Sequence, residues 1–292
     1  MMAISRRTRG ETVFQIVLIV FFFLACIAFI YPVLNILAIS LSGSHPIMRG
    51  EVSFFPREFT TIGYEGVLEN KNIYRAYGNT LLVASAGCVL SLIMTGLAAY
   101  PMAFGRFYGK RFYTIFIVLT MWFQGGLIPS FLVMKSLGLL DSLWALILNS
   151  LCLAYNVIIL RSFFSSIPES IIESARIDGA NDFIILYKLV IPMSKAALAT
   201  IALWVIVAHW NDFFAPLMYL RSMEKYTLQV ILRDIVISVN MTNYDLSAEG
   251  GAAIPEQVQN AVIFVSMVPM LIIYPFLQKY FVKGVMLGSV KG

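Results

Sequence analysis

Charge is scarce in this sequence. Asp, Glu, Lys and Arg supply 13% of its 292 residues against 59% that are hydrophobic, a balance that excludes an ordinary soluble domain. Cysteine is rarer still. Cys26, Cys88 and Cys152 each sit inside an apolar run with no CxxC or Cys/His spacing, so we read them as helix-packing residues. With only His45 and His209, and no HExxH, GxSxG or zinc spacing, neither a catalytic constellation nor a metal site is expected. The stretch Gly105 to Arg111 comes near a phosphate loop, but its glycines are one residue too close, no Ser or Thr follows Lys110, and no strand precedes it. The chain is therefore not expected to hydrolyse ATP itself. Nor does a basic stripe interleave with aromatics as nucleic-acid binding requires.

What is present is long apolar runs. A bilayer core takes about 20 apolar residues per helix, and six stretches meet that length: 12–40, 77–100, 112–134, 142–162, 196–220 and 257–280. We expect an all-α integral membrane protein with residues 1–11 as a short N-terminus and residues 12–292 as one transmembrane domain. The first run is too long for the apolar core of a cleaved leader and reads as a retained helix. The N-terminus, the 101–111 and 161–195 loops and the tail side from Lys279 onward hold thirteen of the 21 basic residues. Because basic loops stay on the cytoplasmic side, both termini are expected in the cytoplasm. The two long loops on the other side, 41–76 and 221–256, either only join helices or dock a soluble partner.

The loop 163–195 is the most informative. Ser166 and Glu169 form a capping-box pattern around Pro168, and Pro168, Ile171, Ile172 and Ala175 recur at one helical face beside Glu173 and Arg176. Gly179 marks a stop where the backbone turns left-handed, and Asn181 or Asp182 can cap a second short helix before Pro192. By residue type alone this is an amphipathic connector on the bilayer surface, or a helix made for a groove.

The order Glu173-Ser174-Ala175, Asp178-Gly179-Ala180 and Ile191-Pro192 resembles the EAA loop of permease subunits in ABC importers, with Ser174 in place of the central alanine. The resemblance runs from about Tyr31 to Gly292. Tyr77-Gly78-Asn79-Thr80, Trp210-Asn211-Asp212-Phe213 with Pro216, and the ending Gly284 to Gly292 are similar to elements of the carbohydrate-uptake branch, which includes the maltose importer's smaller permease. Gly125 to Ser130 and Lys135 to Asp141 look most like permeases for polysaccharide fragments such as alginate and pectin oligosaccharides. The resemblance implies a type I importer permease fold with six transmembrane helices and a cytoplasmic coupling helix. It implies a bacterial cytoplasmic membrane location and a sugar cargo, an oligosaccharide and an acidic one if the narrower likeness holds. It also implies a second homologous permease, two ATP-binding subunits that use ATP and Mg, and an extracytoplasmic solute-binding protein. Ile172, Glu173, Ala175, Asp178, Gly179 and Ala180 would then couple to the ATPase, with Asp178 bonding inside the loop.

One membrane site stands out on physical grounds. Asp212 lies in an apolar span beside Trp210 and Asn211 and close to His209, and ionisable groups in lipid are expensive and usually functional. With Gly125 and Gly126, which can unwind the third span or let helices pack closely, these residues are candidates for a substrate path. Asp212 either faces that path or bonds to backbone; His209 reads as a packing or hydrogen-bonding residue. The alternative from another class is an ion-coupled secondary transporter with Asp212 as coupling site, against which stands the absence of a visible internal repeat.

Overall fold

The computed structural model describes residues 9–105, 107–123, 125–241 and 254–289. Every regular element among them is helical: α1 (Arg9–Ser40), α2 (Ser44–Met48), α3 (Ile62–Glu69), α4 (Lys71–Phe104), α5 (Lys110–Trp122), α6 (Leu127–Ser136), α7 (Leu143–Asn149), α8 (Ala154–Phe164), α9 (Glu169–Ile177), α10 (Asp182–Ile185), α11 (Ile191–Met193), α12 (Lys195–Asn211), α13 (Phe214–Tyr219), α14 (Leu228–Met241) and α15 (Pro255–Ser289). The chain divides into two compact units, residues 1–70 with 235–267 and residues 71–234 with 268–292. Arg6, Arg7, Arg106, Gln124, most of the 242–256 stretch and the last three residues of the tail lie outside the described residues.

In the first unit α1 carries an almost unbroken apolar surface, with Phe14, Phe21, Phe22, Phe23 and Phe29 all exposed. Such a helix is stable only in lipid or against another protein. The segment after it is folded on itself. Asn35 Nδ2 donates to the Ser53 carbonyl at 2.9 Å, the Ser40 and Tyr64 hydroxyls meet at 2.8 Å, and Gln257 Nε2 donates to the Ser42 carbonyl at 2.8 Å. The 41–61 stretch is therefore shaped by its own bonds and is more than slack between helices.

In the second unit α4, α8 and α12 pack around Val157, Leu160, Phe164, Ile201 and Val205, all buried, and the α9–α11 segment closes the same core through Ile172, Ile185 and Val190. Three helices, at Gly10–Ser40, Lys71–Phe104 and Pro255–Pro275, are each long and apolar enough to cross a bilayer unaided. The remaining spans expected from hydropathy are broken. The third, 112–134, bends by 113° between α5 and α6; the fourth, 142–162, bends by 50° between α7 and α8. The fifth, 196–220, stops at Asn211 and resumes as α13. Irregular backbone at membrane depth is tolerated only where it is buried in protein or lines a cavity; the residues flanking the α5–α6 break, Trp122, Phe123 and Ile128, are exposed in this chain, so that break needs a cavity or a neighbouring protein beside it. Where α10 meets α11 the helix widens into a π turn, Leu186–Val190, because Pro192 has no N–H for the carbonyl one turn back. At Ser194 the chain then bends by 83° into α12.

Candidate functional site

The 163–195 loop is held as a rigid corner. α9 ends in a Schellman motif: the Gly179 N–H donates to the Arg176 carbonyl at 3.1 Å and the Ala180 N–H to the Ala175 carbonyl at 3.0 Å. Gly179 has φ +83°, the left-handed backbone anticipated for it. Asn181, not Asp182, caps α10, its Oδ1 accepting from the Ile184 N–H at 2.9 Å. Ser166 is not the N-cap of α9. Ser166 Oγ donates back to the Phe163 carbonyl at 2.7 Å, and Pro168 takes the N-cap position instead of entering the helix.

The apolar face of α9 points inward. Ile172 is fully buried in the core of its own chain, with Ala175 and Ala180 packed on the same cluster. Ile172 therefore anchors the loop and is removed from the surface a partner could touch. The outward flank exposes Glu173, Asp178 and Gly179, together with Ile177, Phe183 and Tyr187, which are 85%, 75% and 73% exposed.

The carboxylate that ties the loop together is Asp182 and not Asp178, whose side chain bonds to none of the described residues. Asp182 Oδ1 accepts from the Tyr100 hydroxyl at 2.8 Å and from Arg176 Nη2 at 3.2 Å, so α9 and α10 are fastened to the end of α4. The Tyr100 hydroxyl, and after it Arg176, hold the Asp182 carboxyl below its ordinary range. A depressed pKa contributes stability above the ordinary value and loses it only as pH falls through the lowered one, so the fastening is intact across neutral pH. Tyr100→Phe removes the shorter bond, worth about 1 kcal/mol. In reconstituted complexes it is expected to lower cargo moved per ATP hydrolysed while hydrolysis persists; an unchanged ratio would show that the bond does not serve coupling.

At the other end of this unit a cavity of about 730 Å³ opens beside the breaks in the spans, lined among others by Gly125, Gly126, Ser130, Asn149, Tyr155 and Tyr219. That volume lies in the range of small-molecule sites. The third span breaks at Gly125 and Gly126 beside this cavity, with Gly126 at φ +83°. Among the described residues its lining contributes hydroxyls, an amide and aromatic rings and no charged side chain.

Trp210, Asn211 and Asp212, the other path candidates, are not on that lining. Trp210 is 2% exposed and meets Tyr77 edge-on at 5.5 Å. Asn211 Nδ2 bonds back to the Val207 carbonyl at 2.9 Å. Asp212 Oδ1 accepts the N–H groups of Phe214 at 3.0 Å and Ala215 at 3.1 Å, the backbone role weighed for it from sequence. His209 is buried against α4, its Nε2 3.3 Å from the Ser150 hydroxyl, in keeping with a packing and hydrogen-bonding residue.

Two fastenings outside the cavity escaped the sequence reading. Asn79 Nδ2 donates to the carbonyls of Glu224 and Tyr226, and the Thr80 hydroxyl accepts the Leu228 N–H at 2.8 Å. Asp141 gathers the backbone of Arg221 and Ser222 and the side chains of Ser222 and Lys225. Their partners lie some 80 to 150 residues away in sequence, and the one local hint was the resemblance of Asn79-Thr80 and Asp141 to family elements.

A family model of binding-protein-dependent transport system inner membrane components matches residues 86–287, which include the 163–195 loop, the cavity breaks and Asp212. The chain belongs to this family. It is thus a membrane permease subunit and not an enzyme. The polygalacturonan/rhamnogalacturonan transport system permease protein YtcP of Bacillus subtilis is 40% identical over 265 residues, 90% of this chain and 93% of that protein. The arabinooligosaccharides transport system permease protein AraQ of Halalkalibacterium halodurans is 28% identical, over 93% of this chain and 94% of its own length. Among solved structures, a chain of a bacterial ABC transporter involved in the import of the acidic polysaccharide alginate superposes with a TM-score of 0.88 at 36% identity, covering 94% of this chain and 99% of that one. This match bears out the all-α type I importer permease fold expected from the sequence. A chain from an alginate transporter complex at 12% identity and TM-score 0.59 shares the fold.

Proposed function

We propose that this permease forms one half of the membrane pathway of an ATP-driven importer of oligosaccharides cut from a polysaccharide, and that its α9 loop seats on a separate ATPase subunit. The observation that carries the proposal is the corner at Gly179: a nine-residue helix locked to its own bundle by Ile172 and Asp182, with apolar and acidic side chains left facing outward. A joint of that kind transmits displacement, because a force on its outer flank moves α4 and α12 with it. The full assembly on this reading pairs the chain with a second, homologous permease and two ATP-binding subunits, which use ATP and Mg, while an extracytoplasmic binding protein delivers cargo. Both termini then lie in the cytoplasm and the 41–76 and 221–256 loops on the outside. Relatives that carry pectic fragments and alginate favour an acidic oligosaccharide; this chain's own cavity wall offers it hydroxyls and ring faces, so any cargo carboxylate is met by another subunit.

The test is purification of the tagged protein from its native membrane in mild detergent, followed by reconstitution. A second permease and an ATPase should co-purify, and oligogalacturonide should enter vesicles only with ATP. Uptake by the isolated chain on an ion gradient, without ATP, would replace this reading with a secondary carrier. The engagement of Asp212 by two backbone amides argues against that alternative, since a coupling carboxylate must be free to change its protonation.

A further inference from the structure

α13 is six residues long, too short to stand as an independent helix. It nevertheless supplies Phe214, Ala215, Met218 and Tyr219 to the cavity, opposite Gly126 to Ser130 on the start of α6. What holds it is a carboxylate at each end. At its start Asp212 Oδ1 receives the Phe214 and Ala215 N–H groups, donors that the first turn leaves without helical partners. The break itself follows from sequence, because Asp212 takes an extended backbone and Pro216 has no N–H for the Asp212 carbonyl.

At the far end the fastening is denser. The Asp141 N–H donates to the carbonyl of Tyr219, the last residue of α13, at 2.8 Å. Asp141 Oδ1 accepts the N–H groups of Arg221 at 3.0 Å and Ser222 at 2.9 Å. Its Oδ2 accepts the Ser222 hydroxyl at 2.6 Å and Lys225 Nζ at 2.9 Å, and Lys225 Nζ also reaches the Asp141 carbonyl at 2.6 Å. To make all these bonds Asp141 adopts φ +57°, a left-handed conformation that Asp tolerates better than most residues. The Ser222 hydroxyl and amide, with Arg221 and Lys225, hold its carboxyl far below the usual carboxylate range, so the clamp persists at any pH at which the protein works.

From this geometry, and resting on the transport reading above, we infer that Asp141 and Asp212 are a pair of positioning residues: together they fix α13 as a wall of the pathway and so set which oligosaccharide lengths pass. Neither carboxylate touches the cavity. Asp212 needs only an acceptor oxygen, which asparagine keeps. Asp141 needs both oxygens, and asparagine would turn an amide N–H towards Lys225 and the Ser222 hydroxyl.

The experiment compares complete reconstituted complexes carrying Asp212→Asn, Asp212→Ala, Asp141→Asn and Asp141→Ala, with short and long oligogalacturonides as cargo. Asp212→Asn is expected to match the unmodified complex. Asp212→Ala and both Asp141 variants are expected to raise the half-saturating concentration of short cargo roughly tenfold, the scale of one lost charge-assisted hydrogen bond, and to admit longer cargo while maximal turnover changes less. Should the Asp141 variants fail to assemble, Ser222→Ala and Lys225→Met remove single donors and should give smaller shifts in the same direction. Unchanged length preference in variants that transport, or Asp212→Asn as impaired as Asp212→Ala, would overturn the inference. Absence of ATP-driven oligosaccharide uptake by the unmodified complex would instead overturn the transport reading on which it stands.

Discussion

Gly179→Asp should abolish ATP-driven uptake in a protein that still inserts and folds. The added Cβ meets nothing within 4 Å, so no neighbour in the chain is pushed aside. The backbone strain of a side chain at φ +83° is about 1–2 kcal/mol and falls on the last turn of α9. The anchors at Ile172 and Asp182 remain, and the bundle needs no help from Gly179 to assemble. What changes is the outward surface, where a new anion appears beside Asp178 at the corner proposed to meet the ATPase. Gly179→Ala carries the same backbone strain without the charge and is expected to keep most activity. Co-purification of the ATPase and vesicle uptake separate the two effects. If alanine is as damaging as aspartate, the corner's shape matters and its surface does not; if aspartate is harmless, the loop is not the coupling element.

A second large effect is expected at Gly87, in the middle of α4. A Cβ there would sit 2.5 Å from His209 Nε2 and 2.9 Å from its Cδ2, distances that force movement. The imidazole is poorly placed to yield, being buried and within bonding distance of the Ser150 hydroxyl. Gly87→Ala therefore has to spread α4 from α12 or break that bond, and overpacking of this sort destabilises by about 1–3 kcal/mol. Thermal denaturation of the purified protein in detergent should shift downward. Pairing it with His209→Ala should recover most of the loss, since the ring that blocks the methyl is gone; a purely additive double variant would place the fault elsewhere.

The positions of the apolar runs, the all-helical class and the corner at Gly179 were legible because each depends on local sequence: hydropathy over twenty residues, or a glycine after an amphipathic turn. The breaks in the third, fourth and fifth spans were not legible from hydropathy, which averages across them. The causes of the third and fifth were nonetheless visible as Gly125-Gly126 and as the Asp212-to-Pro216 spacing. Ile172 was misjudged because a helical stripe reveals that one face is buried without revealing against what. Asp178 and Asp182 were confused for a related reason. Both are acidic residues flanking the same turn, and only the position of Tyr100, 82 residues earlier and on another helix, decides which of them is bonded. Asp141 stood in a stretch that carried the family likeness, but its role was not legible, since its partners come together only when α13 has folded.

The neutral lining of the cavity bears on how a carrier releases what it moves. A wall with fixed charges would grip an acidic sugar strongly, and each cycle would have to undo that grip before the next could begin. Hydroxyls and ring faces meet a carbohydrate through hydrogen bonds and stacking, and their hold changes little with ionic strength. On the proposed reading, in which cargo moves along this surface, direction has to come from the sequence of openings on either side. Discrimination by chemistry then belongs to the step of capture, and the membrane path is left to sort by length and girth.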